Sequence, residues 1–168
     1  VPHRYPSSEE YATGVTTISM AEERPNPNAK IALRSLREKS NNIIHNDNNI
    51  YEVILINKNN EITEGSRSNI FFILKDEVLT PPNHAVLCGI TREKVLQICK
   101  RNNIKLIQQP IKYKDIDKYK AAFLTGTSPM ILPIKQINDI PFPTCHKVLS
   151  TIMHDYSSMV DTYIKSKS

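Results

Sequence analysis

The chain has 168 residues, a formal net charge of +5 and 39% hydrophobic residues, which suits one well-buried domain. No apolar run approaches the ~20 residues of a membrane span. An odd set of cysteines (Cys88, Cys99, Cys145) and five histidines without paired spacing argue against a disulfide framework or a metal site and favour a reducing, cytoplasmic setting.

Residues 1–13 have neither the basic start nor the apolar core of a signal peptide, and are expected to be a linker from a domain upstream. Residues 14–165 are expected to form a single α+β domain, with 166–168 a frayed tail. "GVTTISM" (Gly14 to Met20) alternates and is β-branched, which predicts a strand. Pro25 and Pro27 forbid regular structure until about Asn28. Leu33, Leu36, Ile43 and Ile44 then predict a helix from Ala29 to about His45. "YEVILIN" (Tyr51 to Asn57), "ITEGSRSNIFF" (Ile62 to Phe72) and the following "ILKDEVLT" predict a meander of short antiparallel strands.

The loop "PPNHAVLCGI" leads to a helix from Thr91, expected to be its N-cap, with Val95, Leu96 and Cys99 on one face. "IKLIQQPI" predicts one strand, "YKDIDKYK" a polar turn or short helix, "AAFLTG" a buried strand, and "TSPMILPI" a loop with a strand after it. From about Cys145, apolar residues at three- and four-residue spacing predict a long amphipathic helix. The densest basic stretch, Lys100 to Lys120, holds only two tyrosines and no base-stacking motif, so its lysines read as solvated surface rather than a nucleic-acid site.

Only four glycines are present, against the dozen that average usage near 7% would give. A glycine kept in such a chain marks positive φ or close backbone approach. Three share one context, in "EGS" (Glu64 to Ser66), "GIT" (Gly89 to Thr91) and "GTS" (Gly126 to Ser128). A helix start after "GIT" offers free N–H groups to an anion. "GTS" offers further N–H and hydroxyl donors, and Glu64 adds a carboxylate. Together they describe a ligand with an anionic end and a protonated end. Three turns capped for local reasons would produce the same residues.

The ordered set "NAKIAL", "YEVILINKNNEITEGSRSNIFFI", "VLCGITRE" and "FLTGTSPMILPI" resembles the class IV aminotransferases, the fold-type IV pyridoxal-phosphate enzymes. The resemblance spans nearly the whole chain but only the C-terminal part of the family. It implies the family's cofactor-binding domain, with a mixed sheet or barrel-like core and flanking helices. The implied cofactor is pyridoxal 5'-phosphate, and the implied substrates are a small amino acid and a 2-oxo acid. Lys30 corresponds to the lysine that bonds to the cofactor aldehyde and later moves a proton at Cα, which requires an amine that is neutral part of the time. Glu64 corresponds to the acid that keeps the pyridine nitrogen protonated. Ile90 (through its N–H), Thr91 and Thr127 match phosphate-binding positions, and Leu87 a residue packed on the ring. Ser68 and Asn69 match small polar positions beyond the acid, and Ser128 a backbone donor to the substrate carboxylate.

Two departures stand out. Arg67 replaces a small residue and could reach a substrate carboxylate or the phosphate. Pro129 removes an N–H from the "GTSP" loop. In the family an N-terminal domain supplies a phosphate-binding arginine, substrate-selecting side chains and much of a homodimer interface. The chain alone is therefore expected to bind cofactor weakly. A pyruvate-releasing aminodeoxychorismate lyase shares the same residues, and a non-catalytic basic binding module is the rival from another class.

Overall fold

Alternating β-branched residues make Val15–Ala21 the first strand, β1, of a computed structural model that describes residues 4–24 and 30–168, without the side chains of Lys30 and Ile31. The stretch expected as a linker contains a short helix, α1 (Ser8–Thr13). A capping box closes its start, with Ser7 and Glu10 each accepting from the other's backbone N–H. Pro25, Pro27 and the helix start expected at Ala29 lie outside the described residues, which resume with α2 (Lys30–Asn46).

The strands that follow are β2 (Ile50–Ile56), β3 (Glu61–Gly65), β4 (Asn69–Leu74) and β5 (Glu77–Thr80). Helix α3 (Ile90–Arg101) precedes β6 (Leu106–Gln108) and β7 (Ile111–Lys112). A 3-10 turn over Tyr113–Lys118 leads to β8 (Ala121–Gly126), β9 (Met130–Ile137), β10 (Ile140–Pro141) and α4 (Lys147–Lys167). Among the described residues these strands form one curled, mixed sheet in the order β6-β5-β4-β8-β9-β1-β2-β3-β7, with β10 beside β9. Strand β1 runs parallel to both of its neighbours, β2 and β9.

Two expectations change. The meander is interrupted, because β3 pairs with β2 and β7 while β4 pairs with β5 and β8. The turn between β3 and β4 therefore crosses from one part of the sheet to another. The single strand expected over "IKLIQQPI" is two strands at opposite ends of the sheet order. Pro110 between them has no N–H to donate to a ladder, which suits a crossing point.

The run Asn69–Leu74 explains why the sheet has two cores. Ile70 and Phe72 point to one side, joining Ile54, Ile62, Leu124 and Ile134. Phe71 and Ile73 point to the other, where α3 and α4 bring Val95, Ile98, Leu149 and Ile152. Burial on both faces is why this strand reads as a continuous apolar run. Phe71 and Phe123, cross-strand partners, stack with ring centres 5.0 Å apart. The crossing turn, the start of α3 and the hairpin between β8 and β9 all open onto one cavity.

Candidate active site

The cavity has a volume of about 540 Å³, within the range of ordinary ligand sites. Two buried carboxylates line it, Glu64 at the end of β3 and Glu52 on β2. Glu64 is only 1% exposed. Its Oε1 accepts from Arg24 Nε at 2.6 Å and its Oε2 from the Leu87 N–H at 3.2 Å. Burial pushes the Glu64 carboxyl above its usual range, with Arg24 and the Leu87 N–H pulling the other way. Arg24 also donates to the Ser66 carbonyl at 3.2 Å, so it ties the acid to the crossing turn.

Glu52 holds that turn from the opposite side. Its carboxylate accepts from Ser66 Oγ at 2.6 Å, Ser68 Oγ at 2.9 Å, the Arg67 N–H at 3.2 Å and its neighbour's Val53 N–H at 2.8 Å. Gly65 is required by this arrangement. A Cβ there would strike Ser68 Oγ and stand 3.0 Å from Glu52 Cδ. The close approach at this glycine is thus to Glu52 and Ser68, and a positive φ is found only at Gly14 among the glycines.

The second wall is the start of α3. Gly89, not Thr91, is the N-cap, with no side-chain cap bond, and Thr91 lies inside the first turn with only 4% exposure. A Gly89 Cβ would come 2.7 Å from Asn69 Oδ1, so the helix start needs glycine to sit against β4. Asn69 Nδ2 in turn donates to the Leu87 carbonyl at 2.7 Å. Leu87 and Ile90 expose large apolar side chains at the cavity edge, 59% and 80% respectively. Thr127 and Ser128, in the β8–β9 hairpin, close the third side.

Nine of the ten residues picked out in the sequence therefore meet around one cavity: Glu64, Arg67, Ser68, Asn69, Leu87, Ile90, Thr91, Thr127 and Ser128. The side chain of the tenth, Lys30, lies outside the described residues; its backbone begins α2. Sequence reasoning missed Arg24, Glu52 and Arg92. An acid within the otherwise apolar "YEVILI" was a signal for Glu52. Arg92, 1% exposed, donates to Asn83 Oδ1 at 2.7 Å and the Pro81 carbonyl at 3.0 Å, fastening the loop that carries Leu87. Nothing in "GITRE" distinguished it from a surface arginine.

The donor set fits a phosphorylated, ring-bearing cofactor. An uncapped helix start and a Thr-Ser hairpin suit phosphate, and a buried acid suits a protonated ring nitrogen. Thr125 Oγ1, under the same cavity, is buried without a hydrogen-bond partner, a feature common where a ligand organises a site. Among the described residues no His, Cys, Asp and Glu group could hold a metal, and no helix is long and apolar enough to cross a membrane.

Comparison with known proteins bears on the family and the fold. The family model for Amino-transferase class IV matches residues 1–137. A probable branched-chain-amino-acid aminotransferase of Thermotoga maritima is 30% identical over 113 residues, covering 66% of this chain and 41% of the relative. A D-alanine aminotransferase of Bacillus licheniformis is 30% identical over 89 residues, covering 52% of this chain and 31% of the relative. The solved structure of a putative branched-chain amino acid aminotransferase from Thermotoga maritima superposes with a TM-score of 0.76 at 25% identity, over 95% of this chain and 59% of that one. The chain thus spans less than half the length of the curated relatives it matches.

Proposed function

The chain belongs to the class IV amino-transferases, and from that premise we propose that it is the cofactor-binding part of a pyridoxal-phosphate-dependent aminotransferase. The substrates in this reading are a small amino acid, of branched-chain or D-amino acid type, and a 2-oxo acid. The active form is a cytoplasmic homodimer. The observation that carries the reading is the buried Glu64 carboxylate in a cavity whose other walls are an uncapped helix start and the Thr127–Ser128 hairpin.

Pyridoxal phosphate, when bound, supplies an electron-accepting ring that stabilises charge developing at the substrate Cα. The residues of the chain then divide the remaining tasks. The Ile90 N–H, Thr91 and Thr127 hold the phosphate. Leu87 packs against the ring and excludes water, while Asn69 fixes the Leu87 carbonyl. Glu64 holds a proton at the ring nitrogen. Ser68 donates inward to Glu52, which keeps the crossing turn in shape. Lys30 would hold the cofactor at its aldehyde carbon, and its neutral amine would move a proton at the substrate Cα. The Ser128 N–H and the Arg67 guanidinium orient the substrate.

The test is titration of the chain with pyridoxal phosphate, followed by hydride reduction and peptide mapping. A visible absorption band and an adduct on Lys30 are expected. An adduct on another lysine overturns the assignment. Pyruvate release from an aminodeoxychorismate-type substrate, without amino-group transfer, would place the enzyme in the lyase branch instead.

A further inference from the structure

We propose that Tyr11, on a helix that does not line the cavity, is a positioning residue for the phosphate-holding hairpin, which it braces through the Pro129 carbonyl. This rests on the aminotransferase reading and adds to it a residue that acts through the backbone of another.

The hairpin between β8 and β9 carries a backbone conflict. Residues 127–129 join Gly126 to Met130, its partner across the ladder. Pro129 cannot take a positive φ, and the left-handed step falls on Met130, at φ 53°. A residue with a side chain seldom adopts that region, because its Cβ crowds the backbone. Met130 is 38% exposed, so packing around its side chain does little to hold it there. The hairpin is also tightly placed. A Cβ at Gly126 would stand 3.0 Å from Pro129 Cγ and 3.6 Å from the Arg67 carbonyl of the crossing turn.

Tyr11 supplies a restraint at that step. Its hydroxyl donates to the Pro129 carbonyl at 2.9 Å, across 118 positions of sequence. That carbonyl belongs to the peptide whose orientation sets φ at Met130, so the bond acts on the strained residue itself. Burial raises the phenol above its usual range, with Tyr156 and Glu10 adding to the effect. The hydroxyl is therefore a protonated donor at neutral pH.

The helix that carries Tyr11 is itself anchored. The capping box of Ser7 and Glu10 fixes the start of α1. At its C-cap, Gly14 takes φ 79° where a Cβ would strike Thr144 and stand 3.0 Å from the Lys135 backbone nitrogen. The Tyr11 ring packs on the core that includes Val15, Leu132 and Ile134. Helix α1 is thus held against β9 at Lys135 through Gly14 and at the hairpin through Tyr11. Thr127 lies two residues before the braced carbonyl. A hairpin kept in shape before the ligand arrives loses less freedom on binding.

The experiment is absorbance titration of the full chain with pyridoxal phosphate and with pyridoxal, which has the same ring and aldehyde but no phosphate. Tyr11→Phe removes only the hydroxyl. It is expected to weaken pyridoxal phosphate binding about fivefold, the scale of one neutral hydrogen bond, and to change pyridoxal binding by less than about twofold. Glycine takes the left-handed step without cost. In a Met130→Gly background, Tyr11→Phe should therefore change pyridoxal phosphate binding by less than about twofold. Unchanged pyridoxal phosphate affinity in Tyr11→Phe, equal losses for both ligands, or a full loss retained beside Met130→Gly would each overturn the proposal. No band with either ligand in the unmodified chain counts against the aminotransferase reading instead. Amide hydrogen exchange in the free chain then decides the brace. Tyr11→Phe should speed exchange from Gly126 to Ile131 and leave α3 unchanged, and unaltered exchange in the hairpin overturns it.

Discussion

Glu52 and Glu64 stand on neighbouring antiparallel strands, are almost wholly buried, and line the same cavity. Their donors set them apart. An ionised carboxylate offers about four lone-pair sites. Glu52 receives four donors from the protein and has no capacity left. Glu64 receives two, from Arg24 and Leu87, and can accept more from the cavity. Burial alone therefore does not mark a functional acid. A saturated acid builds the wall, and an unsaturated one keeps acceptor sites open to the cavity.

Removing each acid should separate the two roles. In the active enzyme, Glu64→Ala is expected to lower kcat by about 100- to 1000-fold, the loss typical of removing one preorganised electrostatic partner. Covalent attachment at Lys30 should persist in that variant. Unchanged kcat would refute the electronic role of Glu64.

Glu52→Ala should show the converse pattern, with its largest effect on folding. It strands two hydroxyls and two N–H groups in a buried turn, and a loss of about 3 kcal/mol is expected. For a chain of this size that corresponds to roughly 6–12 °C in Tm. Glu64→Ala should lower Tm by less than half as much, since Arg24 retains access to water at 19% side-chain exposure. Equal losses by thermal denaturation would show that the two acids are both structural.

The same contrast explains what the sequence revealed. Periodicity located "NIFFIL", "AAFLTG" and the last helix because each signal is local: apolar runs where both faces are buried, and three- and four-residue spacing where one face is. Motif order brought the Glu64, Gly89 and Thr127 segments together. Interactions between distant segments were not legible. The crossing from β3 to β4 depends on Glu52, fourteen to sixteen residues before the turn groups it binds. The division of "IKLIQQPI" depends on which strands are free to pair at each sheet edge. Thr91 lost the N-cap role because Gly89 packs against Asn69, a contact that spacing cannot show.

The smallest effect is the most diagnostic of how Glu64 is held. Burial raises its carboxyl above the free value of 4.5, despite Arg24. Below 4.5 both folded and unfolded chains hold the proton, and Glu64→Gln should differ from the unmodified chain by a constant. As pH rises from 4.5 through the raised value, the unfolded chain releases its proton first. The unmodified protein must then lose stability relative to Glu64→Gln, and the loss is complete above the folded value. Urea unfolding of both proteins across this range reads the gap directly. A gap that moves the other way would mean that the Arg24 pair outweighs burial. Arg24→Met should steepen the expected trend, because it removes the main charge opposing desolvation. An acid with acceptor sites still open to the cavity is suited to meeting the proton of a ring nitrogen, whereas Glu52, with every site occupied, is not.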